Sequence, residues 1–391
     1  MIGRRLKLAI VAGEESGDLL GADLVAALRA AHGGDVELTG LGGRHLEAQG
    51  LTSLFNSSEI ALMGVTAVVR DLPRLIRRIG QTAREIVRAK PDCLVTIDSP
   101  DFSLRVAKKV RAADPSIPIV HYVCPSVWAW RPGRARAIEP YVDHILCILP
   151  FEPEVLERLG GPKGTFVGHR LTADPNVLSA ASAQSAQRDM GQDREKMLLV
   201  LPGSRGTEIN QHLAPFGETV GVLLARGNRL RIVLPTLPRL RERVAEGVKN
   251  WAQTPEIVVG TDEKWRAFGE ADAALIASGT VSLELALAGV PLVSCYKFDW
   301  LSRKVEGWIT AWSALLPNLI ADRPVAPEYY NQYVRPEHIA RSLECLFADT
   351  ELRAWQKEGF AEIHRRLSTD RPPGETAASV VIAEIERKTG A

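Results

Sequence analysis

The sequence predicts two Rossmann-like α/β domains followed by a helical C-terminal segment. Short apolar runs alternate with amphipathic stretches through the first half of the chain, and the same alternation restarts near residue 197. The pattern from 336 to 388 is helical. Alternating strand and helix patterns are typical of parallel sheets with helices on both faces. The predicted parts are an N-terminal domain at 1–172, a second domain at 190–345 and a helical segment at 346–391.

The individual elements follow from hydrophobic runs and helical periodicity. The first domain has predicted strands at 6–12, 36–41, 93–97, 117–123, 144–149 and 165–167, and helices at 18–29, 71–89 and 101–112. The stretch 173–193, rich in Ala, Ser, Gln and Asp, predicts a linker or domain boundary. The second domain has predicted strands at 197–201, 231–235, 256–259, 273–276 and 292–296, and helices from about 209 and at 281–288. Two such halves describe the glycosyltransferase B-type architecture, which epimerases and phosphorylases share, so the architecture leaves the function open.

Composition narrows the class of protein. The 391 residues carry a net charge of +1, which gives no sign of a nucleic-acid partner. Five cysteines without C-x-x-C spacing predict buried free thiols, a reducing cytosol and no zinc site. No apolar run approaches the length of a membrane span, and the N-terminus predicts a first strand rather than a signal peptide.

The segment 273–291 is the most informative in the chain. Ser278, Gly279 and Thr280 form a turn between a buried strand and a short helix, and their hydroxyls are placed to cap that helix. A helix N-terminus offers free N–H groups to a phosphate. Glu284 lies about one turn into the helix, where it suits ribose hydroxyls. The alternative is an ordinary strand-to-helix turn of a parallel sheet.

Two further loops of the second domain carry candidate ligands. Ser204 and Arg205 follow a strand at 197–201, where Arg205 can neutralise a diphosphate leaving group. The alternative is a loop arginine paired with a surface carboxylate. Asn318 lies in a Pro-Asn loop and suits a sugar, a base, a phosphate or its own turn. The chain has no D-x-D motif, so we expect nucleotide departure without a metal.

In the first domain, the loop after the first strand has the spacing G-x-x-x-G, a poor dinucleotide fingerprint. Gly13 allows a close approach of the ligand to the backbone. Glu15, Ser16 and Asp18 suit sugar hydroxyls better than phosphate. The alternative is a capping box for a helix that starts near Asp18.

Two other strand ends of the first domain add candidates. Asp98 stands at a strand tip and is the candidate general base, whereas Asp101 is predicted to be the helix N-cap. In the alternative, both aspartates cap the helix. Trp128 and Arg131 follow the next strand and suit a sugar face or an acyl chain; alternatively Trp128 packs in the core.

Residues 70–90 carry seven basic and two acidic side chains, a local charge of +5. This excess predicts a face attracted to anionic lipid through Arg74, Arg77 and Arg78, with the loop containing Met63 and Val65 dipping into the surface. The alternative is a helix that packs its apolar stripe on the sheet. A tryptophan-rich stretch at 300–316 predicts packing, with an acyl-chain groove as the alternative.

Together these segments resemble the lipid-A-disaccharide synthase family. The matching motifs are AGEESGD at 12–18, DSPDF at 98–102, PSVWAWR at 125–131, PFEPE at 150–154, VGH at 167–169, LPGSR at 201–205, ASGTVSLE at 277–284 and LPNLIA at 316–321. They recur in order over most of the chain. The chain departs from the family at Ala67, where a glutamate is usual, at Ser103, where asparagine is common, and at Arg170, where proline is usual.

The resemblance implies an inverting, metal-independent glycosyltransferase without a cofactor. It would join UDP-2,3-diacylglucosamine to 2,3-diacylglucosamine 1-phosphate and release UDP, at the cytoplasmic face of a Gram-negative inner membrane. Asp98 would deprotonate the acceptor 6-hydroxyl. The groups that hold UDP would be Arg205, the helix start at 278–280, Glu284 and Asn318, and Glu15, Ser16 and Asp18 would shape the acceptor side.

Other functions stay open at this point. The alternatives are a UDP-N-acetylglucosamine 2-epimerase-like enzyme, a B-type transferase with a soluble acceptor, and a nucleotide-sugar-binding protein without activity. The helical C-terminal segment either packs back on the fold or exchanges with a second subunit in a homodimer.

Overall fold

The computed structural model describes residues 5–33, 35–59, 65–186, 194–298 and 310–390. Their strands are β1 (Leu6–Ala12), β2 (Val36–Leu41), β3 (Cys93–Ile97), β4 (Ile119–Tyr122), β5 (His144–Cys147), β6 (Lys163–Phe166), β7 (Lys196–Leu201), β8 (Leu230–Thr236), β9 (Glu256–Val259), β10 (Ala273–Ile276), β11 (Leu292–Tyr296) and β12 (Glu328–Tyr330). Their α-helices are α1 (Glu15–His32), α2 (Arg44–Ala48), α3 (Val65–Ala89), α4 (Pro100–Ala113), α5 (Gly133–Ile138), α6 (Glu152–Arg158), α7 (Pro175–Ala186), α8 (Gly206–Ala225), α9 (Arg241–Gly247), α10 (Thr261–Glu270), α11 (Val281–Ala288), α12 (Leu316–Ala321), α13 (Pro336–Phe347), α14 (Glu351–Leu367) and α15 (Pro373–Thr389).

The strands form two six-stranded parallel sheets, which confirms the predicted fold class. The first sheet has the order β2-β1-β3-β4-β5-β6, and the second has the order β12-β11-β10-β7-β8-β9. Because the pairing is parallel, all strands of a sheet end at the same edge. Loops at that edge are where open α/β sheets bind ligands.

Strand β1 shows how the first sheet is buried on both faces. Leu8 and Ile10 pack in the cluster that includes α1 and α15, whereas Ala9 and Val11 pack in the cluster that includes α3 and α4. Successive strand residues point to opposite faces, so a strand covered on both sides is apolar throughout.

The chain divides into two compact units. The first comprises Met1–Arg170 with Thr369–Ala391, and the second comprises Leu171–Ser368. The helices α13 and α14 thus belong to the second unit. Helix α15 belongs to the first unit, where Glu384 Oε1 lies 2.9 Å from His144 Nδ1 on β5.

Residues 175–186 of the predicted linker or domain boundary at 173–193 form helix α7, and the division between the two compact units falls just before this stretch, after Arg170. Ala, Ser and Gln are compatible with a helix, and α7 is fixed by tertiary contacts that the composition does not show. Its buried Gln184 donates to the carbonyl oxygens of Phe268 (2.8 Å) and Ala271 (2.7 Å). Strand β12 was also not predicted, because it has only three residues.

Four of the five cysteines are buried, Cys345 is partly exposed, and all are free thiols, as predicted. Within the described ranges, no helix combines the length and the apolar composition that crossing a bilayer requires.

Candidate functional site

A cavity of about 630 Å³ opens at the carboxyl edge of the second sheet. It is lined by loops that follow β7, β8, β9 and β10 and by the starts of α10 and α11. Six of the residues predicted to bind a nucleotide line it together, namely Ser204, Arg205, Ser278, Gly279, Thr280 and Glu284.

The start of α11 leaves donors free toward this cavity. In the described residues, the N–H groups of Gly279, Thr280 and Val281 have no backbone acceptor, whereas Ser282 N–H bonds to the carbonyl of Gly279. The prediction that hydroxyls cap this helix is wrong. Thr280 makes no side-chain cap bond, and Ser278 Oγ donates to the carbonyl of Ala314 instead (3.0 Å). Unsatisfied N–H groups with the positive helix end suit a phosphate.

Arg205 stands at the start of α8 beside Glu208. Glu208 accepts from the backbone N–H groups of Ser204 (2.8 Å) and Arg205 (3.1 Å), which fixes the loop. Gly203 has φ 121°, and a Cβ there would lie 2.5 Å from Glu208, so this turn requires glycine. The Arg205 side chain is 71% exposed, and its ion pair with Glu208 is a weak surface contact that a ligand anion can replace.

Lys264 is a site residue that sequence reasoning missed. Its Nζ lies 2.8 Å from Glu284 Oε2 and lies over the ring of Trp265 at 4.5 Å. The lysine stands on α10, far from the recognised motifs, and no local pattern marks it. Glu284 therefore reaches the cavity with a cation at its side.

Asn318 does not line this cavity and does not have a free amide. Its Oδ1 accepts from the N–H groups of Val325 (2.8 Å) and Ala326 (2.9 Å), and its Nδ2 donates to Ala326 O (3.0 Å) and Glu328 Oε1 (2.7 Å). The side chain is buried. Asn318 lies inside α12 rather than in the predicted loop, and its bonding capacity is used to hold the segment that follows this helix, which favours the structural alternative for this residue.

At the carboxyl edge of the first sheet, Asp98 follows β3 in a strained backbone. Asp98 has φ 47° and Ser99 has φ 42°, both in the left-handed region that non-glycine residues rarely adopt. The Asp98 carboxylate accepts from the N–H of Ser99 (2.7 Å), and burial raises the pKa of Asp98. Strain of this kind clusters at functional sites. The predicted N-cap is wrong: Ser99 occupies that position, and Asp101 lies inside α4.

The predicted acceptor residues that follow β1 differ in their exposure and in their contacts. Asp18 is buried, and its carboxylate accepts from the N–H groups of Gly43 (2.7 Å) and His45 (2.8 Å). We correct its assignment to the acceptor, because it fixes the start of α2. Glu15 and Ser16 are exposed in the first turn of α1, Glu15 pairs with Arg44, and Gly13 is buried beside them.

The loop after β4 presents a different tryptophan from the one predicted. Trp128 points inward, where its indole N–H donates to Glu152 Oε1 (3.2 Å) and its ring meets Phe151 edge-on. The exposed ring is Trp130, which the Arg131 guanidinium covers at 4.2 Å. The packing alternative therefore applies to Trp128.

Helix α3 divides its apolar residues between two faces. Leu75 and Ile79 are buried against the sheet, whereas Leu72 is 39% exposed and Ile76 is 52% exposed. The alternative interpretation, in which the apolar stripe of this helix packs on the sheet, is therefore wrong for Leu72 and Ile76.

The arginines of α3 also divide. Arg74 and Arg78 pair with Glu59 at 2.8 and 2.7 Å, respectively. Arg78 also lies over the ring of Phe55, so the prediction that Arg78 faces lipid is corrected. Arg77 is exposed. Met63, the side chains of Val65 and Ala67, and the stretch 299–309 lie outside the described residues.

Residues 8–374 match the family model described as lipid-A-disaccharide synthetase. A lipid-A-disaccharide synthase of Rhodopseudomonas palustris (strain HaA2) is 48% identical over 386 residues, which cover 98% of this chain and 97% of the relative. That of Ruegeria pomeroyi is 40% identical over 393 residues, with 98% and 96% covered.

Solved structures share the fold at low identity. The S. aureus MnaA–UDP co-structure has a TM-score of 0.64 and 13% identity, and covers 98% of this chain and 97% of its own. The spinosyn rhamnosyltransferase SpnG has a TM-score of 0.55 and 11% identity, with 97% and 99% covered.

We predict that Asn318→Ala destabilises the protein by about 2 to 4 kcal/mol, since it leaves buried N–H and C=O groups without partners. Urea unfolding measures this loss. The UDP dissociation constant should stay within about twofold at low temperature. The exposed Asn176→Ala is the control and should change stability by under about 0.5 kcal/mol. A large loss of UDP affinity with unchanged stability would contradict the structural role of Asn318.

Proposed function

Since the chain belongs to the lipid-A-disaccharide synthase family, we propose that it transfers a 2,3-diacylglucosaminyl group from UDP to 2,3-diacylglucosamine 1-phosphate. The chain is a glycosyltransferase of lipid A synthesis, as its relatives of 40–48% identity are named. The epimerases that share its fold are only 11–14% identical, so they bear on the fold alone.

One observation carries the proposed mechanism: Asp98 combines a strand-tip position, a strained backbone and a pKa raised by burial. In the proposed step, the acceptor 6-hydroxyl oxygen forms a bond to C1 of the donor sugar. The bond from C1 to the UDP oxygen breaks, and the hydroxyl proton passes to Asp98. Attack opposite the leaving group inverts C1. A raised pKa brings the base closer to neutral pH, where general-base catalysis is efficient.

The departing UDP gains negative charge, which the second unit is equipped to stabilise. Arg205, Lys264 and the free N–H groups at the start of α11 line one cavity. Prearranged cations and backbone donors stabilise charge that develops in a transition state. These groups support departure of UDP without a metal ion.

On the acceptor side, the exposed polar groups of Glu15 and Ser16, next to Gly13, suit sugar hydroxyls. The Trp130 ring with Arg131 suits the sugar face and the 1-phosphate, respectively. The two segments follow strands β1 and β4 of the first sheet, at the edge that also holds Asp98.

The acylated substrates call for contact with a lipid surface. Leu72 and Ile76 are exposed next to the exposed Arg74 and Arg77 on α3. Apolar side chains flanked by arginines are the combination that binds anionic bilayers. We assign this face to the cytoplasmic side of the inner membrane.

We predict that Asp98→Asn lowers kcat by about 10² to 10⁴, because the amide cannot accept the proton. The assay is UDP release that depends on the acceptor, in EDTA. For the wild type, kcat/KM should fall as the pH drops through the pKa of Asp98, which burial raises from its ordinary value. Asp101→Asn, with an exposed carboxylate, is the control. Full activity of Asp98→Asn would exclude this base, and no release by the wild type would overturn the proposed function.

We predict that Leu72→Ser with Ile76→Ser weakens binding to phosphatidylglycerol vesicles by about tenfold, because two apolar side chains no longer enter the lipid. Vesicle co-sedimentation measures this. The control is Leu178→Ser, since Leu178 is 49% exposed on α7. Equal losses in both variants would contradict a membrane role for α3, as would equal wild-type binding to neutral phosphatidylcholine.

A further inference from the structure

The motif at 150–154 has no role in the mechanism above, yet it carries a buried carboxyl group. Glu152 is the first residue of α6 and is only 2% exposed. A carboxyl group is rarely buried unless it is paired or hydrogen-bonded, so its partners indicate what it does.

The partners of Glu152 join two neighbouring loops at the carboxyl edge of the first sheet. Oε2 accepts from the N–H groups of Ile148 (3.1 Å) and Leu149 (3.0 Å), in the loop after β5. Oε1 accepts from the indole N–H of Trp128 (3.2 Å), in the loop after β4. Phe151 reinforces the link through its edge-on contact with Trp128, at 5.4 Å between ring centroids.

The loop after β4 needs such a support. Val123 at its start has φ 75° and Arg131 at its end has φ 52°. A β-branched residue in the left-handed region is strained, and it persists only when its surroundings hold it there. Between these two residues stands Trp130, the exposed ring that Arg131 covers.

The carboxyl group of Glu152 lies among buried side chains. The thiol sulfurs of Cys124 and Cys147 and a carboxyl oxygen of Glu152 lie within 4.8 Å of one another, all buried. Burial raises the pKa of Glu152, whereas the three N–H groups that donate to its oxygens lower it. These contacts offset the cost of burying the carboxyl group, so the link between the two loops depends on them.

We propose that Glu152 is a positioning residue that holds the loop after β4 in the shape that presents Trp130 and Arg131 to the acceptor. The proposal rests on the proposed function, in which this loop meets the acceptor sugar. The two tryptophans of the loop after β4 then have different roles, since Trp128 anchors the loop and Trp130 faces the ligand.

The test compares Glu152→Gln, Trp128→Phe and the double variant. An amide has one acceptor oxygen where the carboxyl group uses two, so Glu152→Gln loses either the indole or the backbone contacts. We expect each single variant to raise the acceptor KM about tenfold, with the donor KM within about twofold. The double variant should be no worse than the worse single variant, because both break the same link. The proposal would be overturned if the acceptor KM of the double variant rose by the product of the two single effects. It would also be overturned if the donor KM and the acceptor KM changed equally.

A second readout does not depend on activity. Hydrogen exchange of the loop peptide at 123–132 should accelerate at least tenfold in Glu152→Gln, while α4 keeps its wild-type exchange. Glu154→Gln, an exposed carboxylate two residues away, is the control and should match the wild type in exchange and in acceptor KM. Unchanged loop exchange in Glu152→Gln would overturn the positioning role even if the wild type proved inactive. Inactivity of the wild type would count against the proposed function alone.

Discussion

Parallel strand pairing is the constraint on which the placement of every proposed functional group depends. Each described strand of both sheets pairs in parallel with its neighbours, so the loops that follow the strands of a sheet all begin at the same carboxyl edge. The backbone groups of the strands are satisfied within the sheet, and the polar side chains available for chemistry follow the strand ends. The side chains of Asp98, Trp130 and Arg205 and the backbone N–H of Gly279 all follow strand ends, although these residues come from distant parts of the chain.

We propose that each unit uses the carboxyl edge of its own sheet for different chemistry. In the second unit, a helix start with free N–H groups and two cations surround a cavity, an arrangement that suits a negatively charged diphosphate. In the first unit, the edge holds a partly buried carboxylate and an exposed aromatic ring with an arginine, which suits a sugar hydroxyl and a phosphate-bearing acceptor. The strain at Asp98 and Ser99 is stored where the proton is proposed to move, and the burial that raises the pKa of Asp98 also supports its role as a base.

The sequence predicted the elements whose signals are local. Strands β1, β3 and β10 and helix α11 agree with the predicted bounds, because apolar runs ended by small residues, Gly and Pro specify them directly. The residues whose roles changed depend on partners distant in the chain. Asp18 caps a helix that begins 26 residues later, and Trp128 donates to a carboxyl group 24 residues away. Asn318 binds a turn that begins seven residues later, and Lys264 meets Glu284 across two elements. No pattern along the sequence reports such partners, and motif matching cannot distinguish a residue that binds a ligand from one that shapes the loop beside it.

The central claim is that the nucleotide is held by the second unit, while Asp98 of the first unit acts in the transfer step. Calorimetric titration of UDP into the wild type, Asp98→Asn and Arg205→Ala tests this division directly. We predict that Asp98→Asn binds UDP within about twofold of the wild type, whereas Arg205→Ala binds about tenfold more weakly or worse, because it loses a charge-assisted contact to the diphosphate. UDP affinity that falls in Asp98→Asn and is retained in Arg205→Ala would contradict the account.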